Sequence, residues 1–383
     1  MNASLKAQLS LRGRDLRLDL ARGIANWFIF LDHIPHNIVN LLTLRNFGFT
    51  GATDVFVFVG GYTAAILYGK IMMERGFVVS ATRILARVAQ LYAAYIVLFV
   101  IYIDAISSVA AQYAATDIIG EYNLAGIVGD PTQTLLSGLL LQTKPLHLDS
   151  LQLFIALLAI FPLALWCLLR RPHLTMAGSI ALYGAARWFE WSIPSFPDGS
   201  WYFNPFCWQL LFVMGAWFAL NRRSLMRAVT HTPWLRLAAL VYLLIALEVT
   251  TVGQAGALNG LIPDFALNPF APADKENLAL YRVIHLLALA LVFTYWVPRD
   301  WSGLRSRALQ PLIKCGEEWL PVFCIGVFLS FAGHFILITS PNSLALQILV
   351  SLAGLAVMTM VAYYISWSRQ QDMERKSGLG ARA

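Results

Sequence analysis

Apolar residues in this chain come in long runs separated by short polar stretches, not in the alternation of half-buried strands or the narrow stripe of surface helices. Runs of about 17–25 residues, enough to cross a bilayer as a helix, fall at 21–42, 50–69, 84–106, 148–169, 174–191, 201–220, 233–252, 279–298, 318–339 and 344–367. The pattern predicts an all-α polytopic membrane protein, with about ten transmembrane helices around a central channel. The stretch 131–143, between Asp130–Pro131 and Lys144–Pro145, is too short to span and reads as an interfacial or re-entrant helix. Three regions follow: a basic N-terminal segment at 1–20, the membrane region at 21–367 and a tail at 368–383.

Composition supports the membrane assignment. Only 13 % of residues are charged and 58 % are hydrophobic, whereas soluble domains carry about 25 % charge. A net charge of +7 would suit nucleic acid if it were concentrated, but the basic residues are scattered between apolar runs, so lipid and not nucleic acid is the expected partner. Most of the 28 Lys and Arg fall in the N-terminal tail, in alternate turns and in the C-terminal tail, while only Arg45, Lys144 and Lys275 fall in the intervening loops. That asymmetry predicts cytoplasmic N- and C-termini. The opposite loops are acidic, with Asp117, Glu121, Asp130, Asp198, Asp264, Asp274 and Glu276. No small-residue cleavage site follows the first apolar run, so that run is expected to be retained. Cys167, Cys207, Cys315 and Cys324 lack paired spacing and are expected to pack as small apolar groups, with no metal site.

The first run carries Arg22, Asp32, His33 and His36. Ionisable groups inside a span cost from ~2.5 to over ~10 kcal/mol each and persist where they face a bundle interior or a wet cavity. Arg22 and His33 are eleven residues apart, which on a helix places them on one face, about 16 Å apart along the axis. Asp32 lies about 100° around and is poorly placed to orient His33; Asp54 or Asp149 from other spans are better candidates. A neutral imidazole can take a hydroxyl proton and return it to a leaving group.

Toward the cytoplasm, Arg12, Arg14, Arg17, Arg22, Arg83 and Arg87 crowd the ends of the first three runs. Arg83 and Arg87, at i and i+4 near a helix N-terminus, suit a polyanion such as a nucleotide or coenzyme A phosphate; topology retention and headgroup contact explain the same residues. On the outer side lie His36, Asp54, His147, Asp149, Arg187, Glu190, Glu248, Arg282, His285 and His334. Arg187–Glu190 and Arg282–His285 have the i,i+3 spacing of helix-surface pairs. Trp188, Trp191, Trp201, Tyr202 and Trp208 suit sugar stacking, although an interfacial aromatic belt is the default expectation.

Arg22-x10-His33 resembles the first-helix signature of acyltransferase family 3 and its relatives. Thr53-Asp-Val-Phe-Val-Phe-Val-Gly-Gly-Tyr62 looks like that group's second-helix run, with Gly60 in place of its serine. The stretch from Arg83 through Arg87 to Tyr95 is similar to its basic third-helix start. Leu146-His-Leu-Asp-Ser-Leu-Gln-Leu-Phe154, leading to Phe161-Pro162, resembles its fourth-helix opening but lacks the Glu-Glu pair. Within the group, Arg14-Asp-Leu-Arg-Leu-Asp19 with Arg22-Gly23, Phe30-Leu-Asp-His-Ile-Pro35 and Thr43-Leu-Arg-Asn-Phe-Gly48 look most like the OpgC type, associated with succinylation of osmoregulated periplasmic glucans. The resemblance implies His33 as catalytic base and Arg22 as its partner lining a donor channel. It also implies Arg83, Arg87, Arg14 and Arg17 near the coenzyme A phosphates, and Asp149 in the missing acidic role. His36, Asp54, Glu190, Arg282 and His285 become candidates for the acceptor.

The expectation is therefore a bacterial inner-membrane O-acyltransferase. It would move an acyl group, succinyl by resemblance, from cytoplasmic acyl-coenzyme A to hydroxyls of a periplasmic glucan, with no permanently bound cofactor. No Cys or Ser stands out as a nucleophile, which favours direct transfer. The competing expectation is a secondary transporter or flippase for a sugar or organic anion, with His33 and Arg22 as proton and anion sites.

Overall fold

The computed structural model describes residues 14–113, 130–143, 147–255, 274–341 and 343–380. Among them are twelve α-helices: α1 (Leu16–Asp32), α2 (Ala52–Arg75), α3 (Phe77–Tyr113), α4 (Pro131–Leu139), α5 (Asp149–Arg170), α6 (Pro172–Trp188), α7 (Pro205–His231), α8 (Pro233–Ala255), α9 (Leu280–Trp296), α10 (Gln310–Glu317), α11 (Trp319–Thr339) and α12 (Leu344–Gly380). Arg12, Asp117, Glu121, Lys144, Leu146 and Asp264, singled out above, lie outside the described residues.

Local chemistry sets the helix ends. Asp15 caps α1 and accepts from Arg17 N. Asp54 reaches back to accept from Gly51 N at 2.8 Å, as in a capping box at the start of α2. The short segment expected at 131–143 is α4, capped by Asp130 on Gln133 N at 2.9 Å with Pro131 in its first turn.

Six helices, α2, α3, α5, α8, α11 and α12, contain segments long and apolar enough to cross a membrane; α7 and α9 contribute shorter apolar stretches. α1 and α6 have 17 residues each, the lower edge of spanning length. Each of the ten runs read from sequence overlaps a helix, and the regular structure of the described residues is helical, with several membrane-crossing candidates.

The residues cluster into two compact units. One contains Val57 onward in α2, α3 to α7, and 274–287. In it α3 packs on α5, and α7 packs on α5 and α6. α2 and α7 cross at backbone distance, because a Cβ at Gly61 would overlap the Phe212 carbonyl and one at Gly215 the Phe58 carbonyl. The second unit contains 14–56, most of α8, the rest of α9, and α10 to α12. There α1 packs on α10 and α11. Side chains at Gly23 and Gly316 would overlap the Leu312 and Asp19 carbonyls, so α1 and α10 also meet backbone to backbone. Phe30, Leu31, Ile34, Val322, Leu337 and Met358 form a core beside this crossing.

Two element boundaries correct the sequence expectation. α1 ends at Asp32 with His33 as its C-cap, so the first run is not one helix to residue 42. His36, at φ 57°, is off the helix and does not continue the Arg22–His33 face. α3 begins at Phe77, immediately after Gly76 at φ 87°. Arg83 and Arg87 therefore lie beyond the first turn, where the helix dipole no longer favours an anion.

Candidate functional site

The second unit holds Arg22 and His33. Helical geometry continues from Arg22 to the cap, so the two residues keep the shared face of α1. Between them, on the same face, stands Asn26, four residues from Arg22 and seven from His33, which the sequence reading passed over. Asn26 is buried and its Nδ2 donates to Trp319 O at 3.1 Å, seating this face against the start of α11. A single amide among apolar residues on an i, i+4, i+11 stripe was the signal available for finding it.

The Arg22 end of α1 is an ionic cluster. Arg22 Nη2 donates to Asp19 Oδ1 at 2.6 Å, and Arg14 Nε donates to Asp19 Oδ2 at 2.6 Å. Arg14 Nη1 also reaches Glu317 at 2.7 Å, and Lys314 bonds Glu317 at 3.0 Å. Asp19 is buried and links two arginines, a role not assigned from sequence. Arg17 is held by Asp15 at 2.8 Å and donates to Val297 O. Hydrogen bonding to Glu317 raises Arg14 above its ordinary value against the opposing effect of burial. Burial alone would raise Glu317, but hydrogen bonds from Arg14 and Lys314 outweigh it and hold the carboxyl low. Arg14, Arg17 and Arg22, expected to face donor phosphates or line a donor channel, thus each meet a carboxylate of the chain itself.

At the other end of α1, Asp32 accepts from Thr43 Oγ1 at 2.5 Å and pairs with Arg45 at 3.1 Å. It turns toward the following loop, in keeping with its predicted place off the His33 face. Asp54 is fully buried and caps α2. The exposed His36 lies 6.4 Å, ring to ring, from buried His334.

The first unit holds the remaining candidates. Arg83 is exposed on α3, and Arg87 donates to Gln90 at 3.0 Å. Arg282 and His285 are buried on α9, so they are not the helix-surface pair that their spacing suggested. Arg187 pairs with Asp274 at 2.8 Å and not with Glu190, which lies past the end of α6 at φ 51°. Trp188 and Trp191 are exposed as a belt requires, but Trp201 and Trp208 are buried, and Trp208 Nε1 donates to Glu276 O at 3.0 Å. Asp149 opens α5 two residues after buried His147, whose Nδ1 lies 3.0 Å from the Tyr102 hydroxyl. The candidate residues thus divide between the units: His33, Arg22, Arg14, Arg17, His36 and Asp54 in one, and Asp149, Arg83, Arg87, Glu190, Arg282 and His285 in the other. Among the described residues no three His, Cys, Asp or Glu side chains group as a metal site, and the four cysteines form no disulfide and are at least half-buried.

No curated protein and no solved structure matches the chain. A family model described as OpgC protein matches residues 14–370, nearly the whole of the described chain. The chain belongs to the OpgC family.

Proposed function

We propose that this chain is an inner-membrane O-acyltransferase that moves an acyl group, succinyl by resemblance, from cytoplasmic acyl-coenzyme A to a hydroxyl of a periplasmic glucan. Its membership of the OpgC family, with His33 at the end of the Arg22–Asn26 face, carries this reading. Ten spans with both termini in the cytoplasm would put the Arg22 end of α1 toward the donor and His33 deeper in the membrane.

In the proposed reaction, the acceptor hydroxyl oxygen attacks the thioester carbonyl carbon while neutral His33 takes its proton. The carbon–sulfur bond then breaks and the imidazolium returns the proton to the leaving thiolate, so the imidazole is regenerated. Asp149 keeps the second acidic role, and His36, Asp54, Glu190, Arg282 and His285 the acceptor side. Because Arg14 and Arg17 already meet carboxylates, Arg83 and Arg87 are the stronger candidates for the coenzyme A phosphates.

The test uses purified protein in lipid nanodiscs with succinyl-coenzyme A and a soluble glucan, following free thiol. The wild type is expected to release thiol and acylate the glucan, and His33→Ala to lose about 10²–10⁴-fold in rate with unchanged membrane insertion. Retained acylation in His33→Ala would remove the base assignment. A transporter or flippase would leave the thioester intact.

A further inference from the structure

Within the first unit, α4 reverses the amphipathic order of a helix at a water surface. Its small and polar residues Thr134, Ser137 and Gly138 are buried, while Leu135, Leu136 and Leu139, with Leu140 just past its end, are 40–59 % exposed. A helix on an aqueous surface turns its leucines inward. Four adjoining leucines facing out, over hydroxyls facing in, fit an apolar surrounding instead.

The level at which α4 packs is set by α3. Residues 88–103 of α3, between Arg87 and Asp104, include no Asp, Glu, Lys, Arg or His over about 24 Å of helix. The contacts of α4 fall inside that stretch. Tyr92 donates to Leu139 O at 2.6 Å, and the Gly138 backbone lies so close to the Phe99 ring that a Cβ would overlap it. The chain then returns along α3: Thr143 lies beside Tyr95, and His147 Nδ1 is 3.0 Å from the Tyr102 hydroxyl. From Tyr92 to Tyr102 this return covers about 15 Å of the α3 axis.

At hydrocarbon depth there is no water for the backbone, so a non-helical return must find its donors within the protein. Leu136 O, Ser137 O and Gly138 O accept from Leu140 N, Gln142 N and Leu141 N. Leu139 O accepts from Tyr92, Leu141 O and Thr143 O from Gln152 Nε2, and Gln142 O from Phe196 N. Two side chains and one distant amide thus serve carbonyls that a turn in water would leave to solvent.

We propose that α4 and its return to Thr143 form a re-entrant segment embedded in the bilayer, with Leu135, Leu136, Leu139 and Leu140 as a contact surface for lipid acyl chains. The assignment is independent of the transferase reading.

The test attaches a nitroxide spin label to Leu136→Cys or Leu140→Cys of the full chain, with the four native cysteines replaced, in lipid nanodiscs. Power saturation compares collision with oxygen, which concentrates in hydrocarbon, and with a nickel chelate, which stays in water. Both positions should give an oxygen-to-nickel ratio like that of Val97→Cys, exposed on α3 within 88–103, and several-fold above that of Arg171→Cys. A ratio like that of Arg171→Cys overturns the proposal, since the leucines would then face water. Low collision with both agents also overturns it, because protein, a second copy of the chain included, would cover the face. Hydrogen–deuterium exchange of the wild type needs no variant: the amides of 140–142 should be as protected as those of 91–103. Exchange there as rapid as at the exposed Asp198 overturns the proposal even where a labelled variant fails to fold.

Discussion

Neighbouring carboxylates at the junction of α10 and α11 are driven in opposite directions by their surroundings. Glu317 is held below its ordinary value because its bonds to Arg14 and Lys314 outweigh burial. Glu318 is raised because burial outweighs the pairing with Arg369. A depressed acid contributes stability that is present above its unfolded value, about 4.3 for Glu, and lost as pH falls through the folded one. A raised acid contributes stability that is present below the unfolded value and lost as pH rises through the folded one. Glu317→Gln should therefore lower stability at neutral pH by less than about 1 kcal/mol, because the Arg14 side chain is half exposed and screened, and the accompanying Tm deficit should shrink as pH falls below about 4.3. Glu318→Gln should leave neutral-pH Tm unchanged or raise it. Thermal unfolding in detergent across pH checks both, and parallel pH dependences in the two variants would refute the opposed shifts. This network also shows where reading the sequence stops. Arg22 and His33 were legible because costly residues at helical spacing stand out within one apolar run. Asp19 bridging Arg14 and Arg22 was not, since the bridge continues to Glu317, 303 residues from Arg14.

Hydropathy marks where a helix can cross a bilayer, not where it begins or ends, and both boundary corrections arise there. Pro35 disfavours helical backbone at the residue before it and lacks the N–H to continue α1, a sufficient reason for the helix to stop at His33. Gly76 is the left-handed stop between α2 and α3, seven residues before Arg83. Both signals were present in the sequence and were overridden by the length of the apolar runs. Gly60, the departure from the serine of the resembling second-helix run, has a packing cause: a Cβ there would come within 2.7 Å of the Phe154 ring on α5. α2 and α5 are therefore adapted to each other at this point. Gly60→Ser should cost about 1–3 kcal/mol from overpacking, and Phe154→Leu in the same protein should recover part of that loss. A double-mutant cycle on Tm measures the coupling; strictly additive costs would remove the mutual adaptation.

At the scale of the whole molecule, the proposed chemistry depends on orientation, because acyl-coenzyme A is cytoplasmic and the glucan acceptor periplasmic. The orientation proposed from charge puts the turn between α5 and α6, with Arg170 and Arg171, inside, and the loop between α6 and α7, with Asp198, outside. Both Arg171 and Asp198 are exposed, so cysteines placed there report accessibility without disturbing packing. The four native cysteines are at least half-buried and can be replaced in the background. In intact spheroplasts a membrane-impermeant maleimide should label Asp198→Cys, and Arg171→Cys only after permeabilisation. The reverse pattern would invert α1 as well, turning the Arg14–Asp19–Arg22 cluster toward the periplasm and His33 toward the cytoplasm. A thioester entering beside Arg22 would then have no source, and the acyl-transfer reading would fail even with the fold intact.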